Sequence, residues 1–172
     1  VIIIGFFLVK TGLIDKIRNI ETIAWTTIIF GILLYFSDKF KIKKNLNNNF
    51  TFKSAIFIGL FQVLSLVPGV SRSGVAITAA RFLNYNRVDS AKISFLLSIP
   101  ILGAVSFFGL KNIFITDDIF FTQANITTIL LSFVFSFITI RFFLNYLKKF
   151  SLNIFVYYSI LLGLILLFIT YL

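Results

Sequence analysis

The sequence predicts an all-α fold, a polytopic membrane helix bundle carrying a re-entrant helix-loop-helix, and three observations support this. Hydrophobic residues make up 59% of the 172 and charged residues 13%, with a mean hydropathy of +1.02, which leaves too little polar surface to cover a soluble core. Four apolar segments long enough to cross a bilayer alternate with polar, mostly basic loops. A fifth apolar stretch, Ser54 to Leu83, is broken at its middle by Pro68-Gly69-Val70-Ser71-Arg72-Ser73-Gly74, which an uninterrupted spanning helix does not absorb. Soluble enzymes, secreted disulfide scaffolds and disordered tails are excluded, because 24 Phe and long Ile/Leu runs would face water.

The elements follow in order. Val1 to Val9 is about 14 Å of helix and reads as the tail of a span whose beginning lies elsewhere. With no Met in the chain, residues 1–172 are read as an N-terminally truncated fragment forming a single integral membrane domain. Ile20 to Phe36 crosses inward, Ile93 to Leu110 outward, Ile126 to Leu147 inward and Leu152 to Leu172 outward. The charges set this orientation. Lys39, Lys41, Lys43, Lys44 and Lys53, then Arg87 and Lys92, then Lys148 and Lys149 mark three cytoplasmic loops by the positive-inside rule. Lys111 to Asn125, with one Lys against Asp117 and Asp118, reads as external. The net charge of +10 is thus a statement about membrane sidedness, and no nucleic-acid partner is expected.

Ser54 to Leu83 lies between two basic loops on one side, so it must enter and return. Ser54 to Val67 is about 21 Å of helix, enough to pass the bilayer centre without crossing. Val75 to Leu83 is the return arm, and the turn Pro68 to Gly74 lies at membrane depth. Non-helical backbone is tolerated there only where it is buried in protein or lines a wet cavity.

The chemistry is expected at that turn. With no Cys and no His in the chain, thiolate and imidazole chemistry are absent from these residues. Pro68 ends one half-helix, Gly69 and Gly74 permit close approaches, and the next half-helix presents unpaired N–H groups, the makings of an anion site. Arg72 adds a permanent charge with a fork suited to phosphate oxygens, flanked by the hydroxyls of Ser71 and Ser73. The competing reading is that Arg72 snorkels from a turn or pairs with an acid. Other residues take structural readings. Arg81 and Arg141 snorkel, Ser94 and Ser98 pack helices, Pro100 kinks its span, and Trp25, Tyr157, Tyr158 and Tyr171 anchor at the interface or pack in the bundle. Of the six acids, Asp15, Glu21, Asp38, Asp117 and Asp118 fall in interfacial or loop positions and Asp89 caps a helix, so no metal set is expected.

Three runs together carry a family resemblance: Phe57-Ile58-Gly59-Leu60-Phe61-Gln62, Pro68-Gly69-Val70-Ser71-Arg72-Ser73-Gly74 and Ser94-Phe95-Leu96-Leu97-Ser98-Ile99-Pro100. The sequence resembles the bacterial undecaprenyl-diphosphate phosphatases, the bacitracin-resistance family of integral membrane enzymes, over essentially the whole chain and as their C-terminal two thirds. The resemblance implies removal of the terminal phosphate of undecaprenyl diphosphate, which yields the lipid carrier of cell-wall synthesis. It also implies two inverted repeats, each with a re-entrant hairpin, in a bacterial inner membrane with the site open to the periplasm.

By position in the motif, Arg72 would hold the diphosphate and stabilise charge on the transferred phosphoryl group. Ser71, Ser73 and the backbone at Gly74 and Gly69 would assist, and Gln62, where the other repeat carries a catalytic acid, is a further candidate. A divalent cation, Mg or Ca, is implied, with ligands not in this chain, and a homodimer is compatible. The family's acidic motif, followed by Ser, Thr and His, is missing here, so the 172 residues alone are expected to bind diphosphate weakly and hydrolyse none. Two rivals stand. A transporter or flippase for a phosphate-bearing polyprenyl lipid would use the same broken helix and Arg. An acid phosphatase with a Ser-Arg motif would need a downstream His that is absent.

Overall fold

The computed structural model describes residues 4, 5, 7, 17–115 and 119–172, and of 107–115 and 119–124 the backbone only. In chain order the named helices are α1 (Ile20–Asp38), α2 (Leu46–Asn49), α3 (Phe52–Val63), α4 (Arg72–Phe82), α5 (Arg87–Ile115), α6 (Ile119–Lys149) and α7 (Asn153–Tyr171), with a 3-10 turn at Leu64–Leu66 after α3. Four helical stretches are long and apolar enough to cross a membrane: Ile20–Asp38, Arg87–Ser106, Asn125–Lys149 and Asn153–Tyr171. The chain is therefore an all-α, multi-pass membrane protein.

α1 begins where extended Asn19 accepts a hydrogen bond from the Thr22 amide at 2.6 Å, with Glu21 in the first turn. α7 lies antiparallel along it: the Tyr171 hydroxyl donates to Glu21 Oε1 at 2.8 Å at one end, and the Leu152 amide to Asp38 Oδ2 at 3.3 Å at the other. The approach requires a glycine, since a Cβ at Gly163 would lie 2.9 Å from the Ala24 carbonyl oxygen.

α3 and α4 form a helical hairpin. Thr51 caps α3 by accepting from the Ser54 amide at 3.2 Å. The hairpin closes at its base, where the Tyr85 hydroxyl donates to the Asn49 carbonyl at 2.8 Å and lies 3.2 Å from Ser54 Oγ. The Lys43 and Lys44 amides donate to the Asn84 carbonyl at 3.0 and 3.1 Å. Chain entry and exit thus meet at one end, beside the Asp38 end of α1. Small residues on α4, Ala76, Ala79 and Ala80, let Ile58 of α3 and Ile93 of α5 close on it, and every residue from Val75 to Arg81 is buried.

Several boundaries differ from the sequence expectation. α5 begins at Arg87 instead of Ile93 because Asn86 caps it, its Oδ1 accepting from the Asp89 amide at 2.8 Å. Asp89 completes a reciprocal cap, its Oδ2 accepting from Asn86 Nδ2 at 2.7 Å and from the Leu46 amide at 2.9 Å. α5 continues through Pro100. α6 starts at Ile119, so the expected external loop Lys111 to Asn125 is helical on both sides of residues 116–118. Asp15, Asp117 and Asp118, and most of Val1 to Val9, lie outside the described residues.

Arg81 is the clearest correction. Instead of snorkelling it is 1% exposed, with Nη2 donating to the Asp38 and Phe40 carbonyls at 2.9 and 2.7 Å and Nη1 to the Tyr85 carbonyl. The loop after α1 folds back over the hairpin base and encloses the guanidinium, which joins that base to the end of α1.

Candidate functional site

The tip of the hairpin rests on α1, near Thr26. Thr26 is six residues from Ile20 and twelve from Asp38, so the tip sits roughly 9 Å from one end of α1 and roughly 18 Å from the end beside the hairpin base. Val67 is extended, Pro68 follows, and Gly69 takes φ +86°. No other residue fits at 69: its Cβ would lie 2.6 Å from the Ile23 carbonyl oxygen and 2.8 Å from Ile23 Cα. The Thr26 hydroxyl reaches across to the Pro68 carbonyl at 2.7 Å, with Thr22 O at 2.8 Å and Ile23 O at 3.1 Å around the same oxygen. Thr27 Oγ1 is closer to its own helix, at 2.6 Å from Ile23 O, than to the Gly69 carbonyl at 3.1 Å.

Beyond Gly69 the Val70 amide donates to Val67 O at 3.2 Å, and Ser71 becomes the N-cap of α4, its Oγ accepting from the Gly74 amide at 3.2 Å. The cap moves the helix start from the expected Val75 to Arg72, so Arg72, Ser73 and Gly74 form the first turn and the loop shrinks to Val67–Ser71. The Val75 amide bonds the Ser71 carbonyl at 2.9 Å. The amides of Arg72 and Ser73, the first two of the helix, have no acceptor within it. With its lone pair engaged by Gly74, the Ser71 hydroxyl keeps a proton to donate outward.

These residues line a cavity of about 550 Å³ between α1, α4, α6 and α7. Gly69, Val70, Ser71, Ser73 and Gly74 supply a polar part of its wall, and Phe30, Leu34, Phe143, Phe155 and Leu162 an apolar part. Such a cavity suits an amphiphile with an anionic head: donors and a helix N-terminus at one place, hydrocarbon surface at another.

Of the residues expected at the site, the structure brings Gly69, Ser71, Ser73 and Gly74 together in this wall. Arg72 shares their helical turn but is exposed and outside the lining. Among the described residues Arg72 pairs with no acid. Gln62 is 1% exposed on α3, one turn beyond Ile58 toward the tip and outside the cavity lining, and its Nε2 has no hydrogen-bond partner among the described residues. Ser94 packs as expected, its hydroxyl 3.3 Å from the Ser73 carbonyl. Thr26 went unread in the sequence; the available signal was a Thr-Thr pair inside an otherwise apolar span.

The described acids do not fit the implied divalent cation. Asp38 is engaged by Arg81, Arg87 and the Leu152 amide, Asp89 by Lys92, Asn86 and the Leu46 amide, and Glu21 by Tyr171. None of the three lines the cavity, and no cluster of three candidate ligands occurs among the described residues.

Comparison with known proteins adds sequence relationships. Residues 1–165 match the family model described as bacitracin resistance protein BacA. The undecaprenyl-diphosphatase of Pelagibacter ubique (strain HTCC1062) is 48% identical over 172 residues, covering 99% of this chain and 67% of that protein. That of Jannaschia sp. (strain CCS1) is 37% identical over 171 residues, 99% of this chain and 64% of the relative. That of Campylobacter curvus (strain 525.92) is 41% identical over 167 residues, 95% and 62%. The chain thus spans about two thirds of the length of these curated relatives.

Proposed function

The chain belongs to the bacitracin resistance protein BacA family, and from that premise we propose that it carries the diphosphate-holding half of an undecaprenyl-diphosphate phosphatase. The reaction is hydrolysis of the terminal phosphoanhydride: a water oxygen bonds the outer phosphorus, the bridging P–O bond breaks, and undecaprenyl phosphate leaves with inorganic phosphate. The observation that carries this reading is the Ser71-capped N-terminus of α4, set in the wall of a cavity that is polar there and apolar elsewhere. The free amides of Arg72 and Ser73 and the hydroxyls of Ser71 and Ser73 are donors for phosphate oxygens. Arg72, reaching from the same turn, balances the charge that develops on the transferred phosphoryl group. The apolar wall around Phe30, Leu34 and Leu162 takes the first isoprene units of the tail.

In this reading the 172 residues correspond to the C-terminal two thirds of a family member. The activating base or nucleophile, and the ligands of a divalent cation, come from residues other than the three described acids. No step depends here on that cation. The protein sits in a bacterial inner membrane with the cavity facing the periplasm. Supporting this, Lys43, Lys44, Arg87 and Lys92 gather at the hairpin base, whereas the tip lies roughly 18 Å along α1 from that end.

The test is to reconstitute the full-length gene product in lipid vesicles with undecaprenyl diphosphate and to follow inorganic phosphate and the lipid products. Phosphate and undecaprenyl phosphate in equal amounts are expected. Movement of intact undecaprenyl diphosphate between leaflets without phosphate would replace the hydrolase with a transporter.

A further inference from the structure

We propose that Thr26 on α1 is a positioning residue for the anion site at the hairpin tip, an inference that rests on the phosphatase reading and deepens it. A turn that receives a diphosphate must show donors and hide acceptors, because each unbonded carbonyl oxygen facing the anion opposes binding. Two carbonyls, those of Pro68 and Gly69, stand at this tip ahead of the donor groups of Ser71, Arg72 and Ser73. The Thr26 hydroxyl lies 2.7 Å from the Pro68 oxygen across 42 residues of sequence, with Thr22 O of its own helix at 2.8 Å, and its one proton is assigned to Pro68. Pro68 has no N–H of its own to set the orientation of the turn. The Thr26 bond and the tight seat of Gly69 against Ile23 therefore fix which way the peptide planes of the tip face. With the Pro68 oxygen held against α1, the chain leaves Gly69 in the direction that brings Ser71 to the N-cap and aims the Arg72 and Ser73 amides outward.

Thr27, the next residue, lines the cavity itself. Its hydroxyl is 2.6 Å from Ile23 O in its own helix and 3.1 Å from Gly69 O, so its proton is already engaged and it contributes less to the tip.

The experiment compares Thr26→Val, Thr26→Ala and Thr26→Ser in the full-length gene product, with steady-state phosphate release from undecaprenyl diphosphate. Thr26→Val and Thr26→Ala should lose roughly 10-fold or more in kcat with KM changed by less than about 3-fold, because the donors are misplaced for the transition state while the tail still binds. Thr26→Ser keeps the hydroxyl and should stay within about 3-fold of the parent. Thr26→Ala removes the hydroxyl without setting a methyl against the Pro68 oxygen, so it answers the question if Thr26→Val does not fold.

A second readout does not require turnover. In a background free of other cysteines, Ser73→Cys reports the tip through its rate of labelling by a water-soluble maleimide. That rate should shift about 5-fold or more with Thr26→Ala and stay unchanged with Thr26→Ser. Equal kcat in the Ser, Ala and Val variants, or equal labelling rates, would overturn the role of Thr26. A parent protein that releases no phosphate would instead remove the phosphatase reading, with the labelling comparison still deciding the positioning role.

Discussion

Arg87 grips Asp38 at two points, Nε to Oδ1 at 2.7 Å and Nη2 to Oδ2 at 2.9 Å, joining the start of α5 to the end of α1. The same carboxylate lies 3.7 Å from Arg81 Nε and accepts from the Leu152 amide. One acid therefore links α1, α4, α5 and the start of α7, at the end of the molecule opposite the hairpin tip. Asp38→Ala would leave the enclosed Arg81 without its counter-charge, while Arg87, about one-third exposed, can turn to water. We expect a loss of about 3–5 kcal/mol, read as a lowered thermal unfolding midpoint in detergent, with Asp38→Asn losing less. An unchanged midpoint for Asp38→Ala would show that the carbonyls around Arg81 suffice.

Gly69→Ala places a Cβ against Ile23 in a backbone conformation with φ +86°. The positive φ and the contact each cost about 1–3 kcal/mol. The tip must then lift from α1, so phosphate release should fall well before the bundle unfolds. Parallel measurement of activity and thermal midpoint checks this: activity retained alongside a normal midpoint would mean the tip is not seated as described.

Ser71 and Ser73 should separate. Ser71→Ala removes both the N-cap of α4 and a donor, giving about 1 kcal/mol of lost stability together with lost activity. Ser73→Ala removes a hydroxyl with no capping role and should lower kcat roughly 10-fold at unchanged stability. Unfolding and phosphate-release assays on the two variants distinguish these outcomes, and identical behaviour of the pair would contradict the assignment of Ser71 as the cap.

The hairpin was legible because its signals are local: two basic flanks, an apolar stretch too short for two crossings, and Pro68 with two glycines at the break. The start of α4 was less so, since Gly74 reads as a loop residue until the Ser71 side chain is seen to cap it. Arg81 was misread for a different reason. A basic residue near a span end snorkels unless something folds over it, and what folds over it here is a loop some 40 positions earlier in the chain, whose Asp38 and Phe40 carbonyls it binds. Thr26 is of the same kind, its role being visible only once α1 lies against the Pro68 peptide. Among the expected site residues, Gly69, Ser71, Ser73 and Gly74 share one wall of the cavity, whereas Gln62, one turn beyond Ile58 on α3, is buried outside its lining.

The most direct measurement is the initial rate of phosphate release from undecaprenyl diphosphate by Arg72→Ala and Arg141→Ala versions of the full-length gene product. Both residues are exposed cations of the same chain, but Arg72 shares the first turn of α4 with Ser73 whereas Arg141 lies on α6. We expect Arg72→Ala to lose about 10³-fold, the scale for removing a group that stabilises transition-state charge, and Arg141→Ala to keep the parent rate. Equal rates for the two variants would contradict the assignment of the hairpin tip as the diphosphate site.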